Sequence, residues 1–146
     1  MTTSLNANIK LDVVAELLST LDIGSARHAL QYGYNAVLTD GTGANQAKAL
    51  FADTRTLAAS ASENLDLAGG LTDALGNALT FTKIKALIIK ADAANTNDVL
   101  VGGHASAAIA SLFGDATDKA RVKPGGLLAM VAPDANGYSI IVIGTT

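Results

Sequence analysis

Cysteine and tryptophan are absent from this chain, proline occurs twice, and the aromatic residues amount to three Tyr and three Phe. Without cysteine there is no disulfide framework, no thiolate nucleophile and no thiolate metal site. The composition fits manufacture in a reducing cytoplasm. Charge is sparse as well. Asp, Glu, Lys and Arg make up 16% of the residues, against about 25% in ordinary soluble domains. The net charge is −3, and the Lys and Arg residues form no run or patch, which argues against a nucleic-acid partner. Long apolar runs are missing too. The longest, Ala86-Leu87-Ile88-Ile89 and Leu127 to Ala132, fall far short of the roughly 20 residues that cross a bilayer. The first residues, Met1 to Asn8, have neither the basic nor the apolar region of a secretory leader, so no membrane association is expected.

What is present points to a β-rich chain. A length of 146 residues suggests one domain over 1–146, long enough to bury a core without metal or disulfide support. The mean hydropathy is +0.33, although no membrane segment exists. The surface must therefore be built largely from Ala, Gly, Thr, Ser and Asn. Such a weakly charged surface suits contact with protein neighbours. The plainer alternative is an ordinary monomer whose hydropathy is raised by alanine.

Periodicity places most of the chain in short strands. Ile9 to Leu21 is ambiguous. Ile9, Leu11 and Val13 alternate as in a strand, whereas Val14, Leu17, Leu18 and Leu21 follow helical spacing. The strand reading is preferred, and residues 1–25 form either an N-terminal arm or a first strand. His28 to Thr39 alternates more cleanly, with Leu30, Tyr32, Tyr34, Ala36 and Leu38 on one face. Asp40 to Asn45 is a turn. Ala47 to Leu57 reads as strand-like, and Leu65 and Leu67 stand at strand spacing. Asp73 to Asn77 marks a connection. Leu79 to Lys90 is the strongest strand, and Ala86 to Ile89 reads as a run buried on both faces. Val99 to Val101 is a short strand ended by Gly102-Gly103. Ser106 to Phe113 is a helical turn or an irregular apolar loop. Leu127 to Ala132 is a strand, Pro133 to Gly137 a hairpin turn, and Tyr138 to Ile143 the returning strand. Short strands separated by turn chemistry predict an antiparallel β-sandwich, jelly-roll-like, with little helix.

No motif supports chemistry. Asp40-Gly41-Thr42-Gly43-Ala44-Asn45 resembles a dinucleotide loop, but Gln46 stands where the third glycine is required. His28 and His104 are the only histidines, too few for a zinc site in a chain without cysteine. Asp92, Asn95, Asn97 and Asp98 share one loop but lack the spacing and glycine of an EF-hand, and these residue types also favour turns. Asp115 and Asp118, near Lys119 and Arg121, read as a solvated charged loop rather than an acid–base pair. No serine sits in a GxSxG elbow. No catalytic, cofactor-binding or metal-ligating residue is assigned, and no enzyme activity is expected.

Several strings carry a likeness. Asp40-Gly41-Thr42-Gly43-Ala44, Asp53 to Gly69, Leu71 to Gly76, Phe113 to Asp118 and Val122 to Gly126 resemble a group of small phage and prophage virion proteins. Tyr138 to Gly144 looks like their closing strand. The resemblance implies a β-rich component of a tailed-phage particle, made in the host bacterial cytoplasm. By analogy with jelly-roll-like cement proteins of short-tailed phages, it implies a capsid decoration role. The expected partners are the major capsid protein and further copies of the chain, as a dimer or trimer. The N-terminal segment and the Gly-rich loops are the expected contact regions. The alternative is a receptor- or glycan-binding module of a tail or head fibre. It is weakened because Tyr32, Tyr34 and Phe81 read as core residues.

Overall fold

The computed structural model describes residues 3–104 and 109–140. Among them the protein is mostly β, with 43% of residues in strands and 3% helical. The dominant feature is a long antiparallel hairpin. Strand β1 runs Ala7–Thr20 and β2 runs Ser25–Asp40. They pair without a bulge from Ala7 opposite Leu38 to Thr20 opposite Ser25. The ambiguity over Ile9 to Leu21 is thus settled as strand. Its helical spacing has no helical partner to bury against, whereas its alternation matches that of β2. The turn between them is closed by Leu21 N–H donating to the Gly24 carbonyl at 3.1 Å. Gly24 has φ +93°, a conformation L-residues seldom adopt.

Beyond the hairpin the strands are short. They are β3 (Gln46–Ala47), β4 (Leu71–Thr72), β5 (Ala78–Leu79), β6 (Lys83–Ile84), β7 (Ala86–Lys90), β8 (Val99–Gly102), β9 (Lys119–Val122), β10 (Leu127–Val131) and β11 (Tyr138–Ser139). One helical turn, α1 (Ala110–Phe113), precedes β9. β3 lies parallel to the end of β2, and the other pairs, β4 with β5, β6 with β11, β7 with β10 and β8 with β9, are antiparallel. Among the described residues, one three-stranded sheet and four two-stranded sheets result. The core they enclose is small. Its buried apolar members are Ala36, Leu38, Leu71, Leu79, Ile84, Ala91, Leu112, Val122 and Ala132.

The structure departs from the sequence reading in several places. Leu79 to Lys90 is not one strand. It breaks after Leu79 and again at Lys85, because β6 and β7 serve different partners. Ala86 to Ile89 is not buried on both faces. β7 has one neighbour, and Ile88 is 54% exposed. Residues 48–70 contain no strand, because alternation at Leu65 and Leu67 is inert without an edge to pair against. The turn at Pro133 to Gly137 forms, but it is not a hairpin. β11 leaves β10 and pairs with β6. The remainder of the expected closing strand, from residue 141 on, and residues 105–108 of the Ala-rich stretch lie outside the described residues.

Candidate functional site

The alternation of β2 explains the most distinctive surface of the molecule. Leu38 and Ala36, at the base of the hairpin, are 2% and 5% exposed. Tyr34, next on the same face, is half-buried. Tyr32 and Leu30 follow at 58% and 48% exposed. One apolar stripe therefore begins in the core and runs out into solvent. On β1 it is joined by Leu11, Val13, Ala15 and Leu17, which stand directly opposite Tyr34, Tyr32, Leu30 and His28. Every residue from Leu11 to Gly33 is exposed. This outer ribbon extends roughly 30 Å, at about 3.4 Å per residue. It ends in Leu21 and Ile23, which are 52% and 95% exposed.

The opposite face of the ribbon mixes charge with smaller apolar groups. It presents Lys10, Asp12, Val14, Glu16 and Leu18 from β1 and Arg27, Gln31 and Asn35 from β2. Glu16 and Arg27 form an ion pair across the two strands. No Asp, Glu, Lys or Arg stands on the apolar face. A two-stranded ribbon with one face apolar and no third layer among the described residues has little stability of its own in water, and an exposed apolar stripe of this length is unusual for a monomer.

Two lysines fasten the base of the arm to the body. Lys85 is 7% exposed and donates to the carbonyls of Gly43, at 3.1 Å, and Asp134. Lys83 donates to Thr42, at 3.0 Å, and to Ala135, at 2.5 Å. The Asn45 N–H donates to the Pro133 carbonyl at 2.6 Å. The loop after β2 is thus stitched to the turn before β11. Gly137 in that turn has φ +63°, and a Cβ there would meet the Ile84 carbonyl oxygen at 2.7 Å. Asp40 adds a third tie. Its carboxylate accepts from Lys48 at 2.8 Å and from the Leu5 N–H at 3.2 Å. The Lys48 hydrogen bond, followed by the Leu5 amide, holds its pKa below the usual carboxylate value.

The aspartates weighed for chemistry take part in turns and ion pairs. Asp40 to Asn45 is the clamped loop just described. The Asp98 carboxylate accepts from Lys123 at 3.0 Å and Arg121 at 2.8 Å, and these bonds lower its pKa. Asp92 closes its own turn by accepting from the Ala94 N–H at 2.8 Å. Asp115 accepts from the backbone and hydroxyl of Thr117, both at 3.0 Å, and is lowered by them. Asp118 accepts from the Asp115 N–H at 3.0 Å. Arg121 is therefore drawn to Asp98, not to the Asp115–Asp118 loop. His28 is exposed on the arm, whereas His104 is half-buried after β8. Among the described residues no three His, Asp or Glu side chains are placed to hold a metal ion, and no helix is long and apolar enough to cross a membrane.

The expectation that Tyr32, Tyr34 and Phe81 are core residues fails for Tyr32, and Tyr34 and Phe81 are only half-buried. Alternation identified the face that Tyr32 and Tyr34 share. It did not show that the body ends before Tyr32. Comparison with family models, with curated proteins and with solved structures gives no match.

Proposed function

We propose that this chain is a structural protein of a tailed-phage particle, a capsid decoration or cement protein that stabilises the head by binding between capsid subunits. The observation that carries the reading is the ribbon arm, whose apolar stripe leaves the core and has no cover among the described residues. Such an arm gains its stability from a neighbour. Laid on a capsid protein, Leu11, Leu17, Leu30 and Tyr32 would each contribute on the order of 1 kcal/mol from the area they still expose. Repeated over many copies, binding that favours the assembled shell stabilises it by mass action. The two lysine clamps suit this role, because they fix the direction in which the arm leaves the body. The sparse charge of the whole chain agrees with contact over a broad surface. The reading includes a jelly-roll-like antiparallel sandwich as the finer arrangement of the body strands.

Exposure of Tyr32 favours a second reading, a receptor- or glycan-binding module of a tail or head fibre, since an exposed aromatic ring can stack on a sugar. Copy number separates the two. Quantitative mass spectrometry of purified particles should return this chain in a simple ratio to the major capsid protein, near one or one third. A handful of copies per particle would move it to the tail or fibre. Absence from particles would remove the virion reading altogether.

A further inference from the structure

Among the described residues the outer edge of β1 has no partner. There β1 is hydrogen-bonded to β2 alone, so alternate residues from Ala7 to Thr20 point N–H and C=O groups away from the ribbon. A long unpaired edge with one apolar face invites another strand. Two of the usual protections are missing, since β1 contains no proline and its pairing with β2 is unbulged, and its charges, Lys10, Asp12 and Glu16, all stand on one face.

We propose that this edge pairs antiparallel with β1 of a second copy, about a twofold axis at Val13, giving a four-stranded sheet β2–β1–β1–β2. The charge pattern of the strand selects both the occupant and the register. With the axis at Val13, Lys10 of each copy stands directly opposite Glu16 of the other. Lys10 of the second copy then flanks Glu16 on one side as Arg27, diagonal to it on β2, does on the other, extending the ion pair already present between Glu16 and Arg27. Asp12 falls opposite Val14. On the other face Ile9 meets Leu17, Leu11 meets Ala15 and Val13 meets itself, so the apolar stripes of both copies merge into one surface. Ala7 through Ser19 all find partners.

Neighbouring registers fail on specific residues. An axis at Asp12 sets Asp12 against itself. An axis at Val14 sets Asp12 against Glu16. Like charges directly opposite are destabilising. An axis at Leu11 pairs Lys10 with Asp12 but leaves Glu16 to Thr20 without partners. An axis at Ala15 makes no opposite-charge pair. Shifts that bring odd and even positions opposite each other would join the apolar face of one copy to the charged face of the other.

The dimer stands independently of the virion reading and is tested on the purified full-length chain. Sedimentation velocity is expected to show a dimer. Lys10→Glu and Glu16→Lys should each weaken it about tenfold, because two attractive pairs become repulsive. An equimolar mixture of the two variants should recover the dimer, since both mixed pairs are again opposite in sign. That recovery separates pairing from misfolding. The chain has no cysteine, so Val13→Cys supplies a second measurement. Oxidation should link it covalently across the axis, where opposed Cβ atoms lie about 4.5–5.5 Å apart, and should link Val14→Cys far less. A monomer at all concentrations, no recovery on mixing, or equal crosslinking of the two cysteine variants would overturn the proposal. A monomer whose β1 edge is protected from amide exchange only on capsid shells would assign the edge to the capsid protein instead.

Discussion

At the scale of single residues, Lys85 shows how a side chain that reads as polar surface becomes internal support. Its ammonium group satisfies the carbonyls of Gly43 and Asp134 while remaining buried. Lys85→Met keeps the length of the stem but removes the donor. Two carbonyls then lose their partner, and the fold should weaken by about 1–3 kcal/mol, read as a lower midpoint in urea denaturation. The turn carboxylates set the response to acid. Asp40, Asp73, Asp98, Asp115 and Asp134 all have pKa values lowered in the folded protein. For Asp40 and Asp98 the main cause is a lysine hydrogen bond. For Asp73 it is the Asn77 side chain, for Asp115 the Thr117 amide, and for Asp134 the Gly137 amide. The unfolded chain therefore binds protons first as pH falls. Their contribution to stability is complete above the ordinary Asp value of about 3.9 and disappears as pH drops through the lowered folded values. Thermal melts should be nearly level from pH 7 to 5 and fall steeply below about pH 4.

At the scale of the element, one stripe on β2 has two energetic regimes. Leu38 is buried at the base, so Leu38→Ala should cost about 2–5 kcal/mol of stability. Leu17 is 71% exposed on the outer ribbon. Leu17→Ala should change the stability of the isolated monomer by less than about 0.5 kcal/mol. The pair of variants, compared by chemical denaturation, tests whether the arm is independent of the core. Equal losses would mean that the outer ribbon is packed against the body. The broken course of Leu79 to Lys90 is the same lesson in reverse. A run of good strand formers changes partner at Lys85, because the register on either side is dictated by β11 and β10, far along the chain.

At the scale of the whole molecule, the described residues combine a small core with a long arm whose apolar stripe is exposed. The combined variant Leu17→Asp with Tyr32→Asp places charge on that face without touching the body. It should keep the circular dichroism of the parent and lose retention on capsid shells that lack the native protein. Retention equal to the parent's would exclude the arm as the capsid contact. Little of this shape was legible in the residue pattern. The alternation from Leu30 to Leu38 identified the shared face, and the turn residues at Asp40 to Asn45, Asp73 to Asn77 and Pro133 to Gly137 marked real turns. The sandwich expectation outran the observed sheets, which are small and open.

The residue pattern alone carried the β character, the apolar stripe of β2 and the main turns. These follow from local chemistry: side chains alternate with period two, and Gly, Asp and Asn bend the chain wherever they fall. Only the tertiary structure decided which strands pair, where the stripe leaves the core, and that Lys83 and Lys85 bind carbonyls more than 40 residues away in sequence. Burial and pairing depend on where the rest of the chain ends in space, and no local pattern encodes that distance.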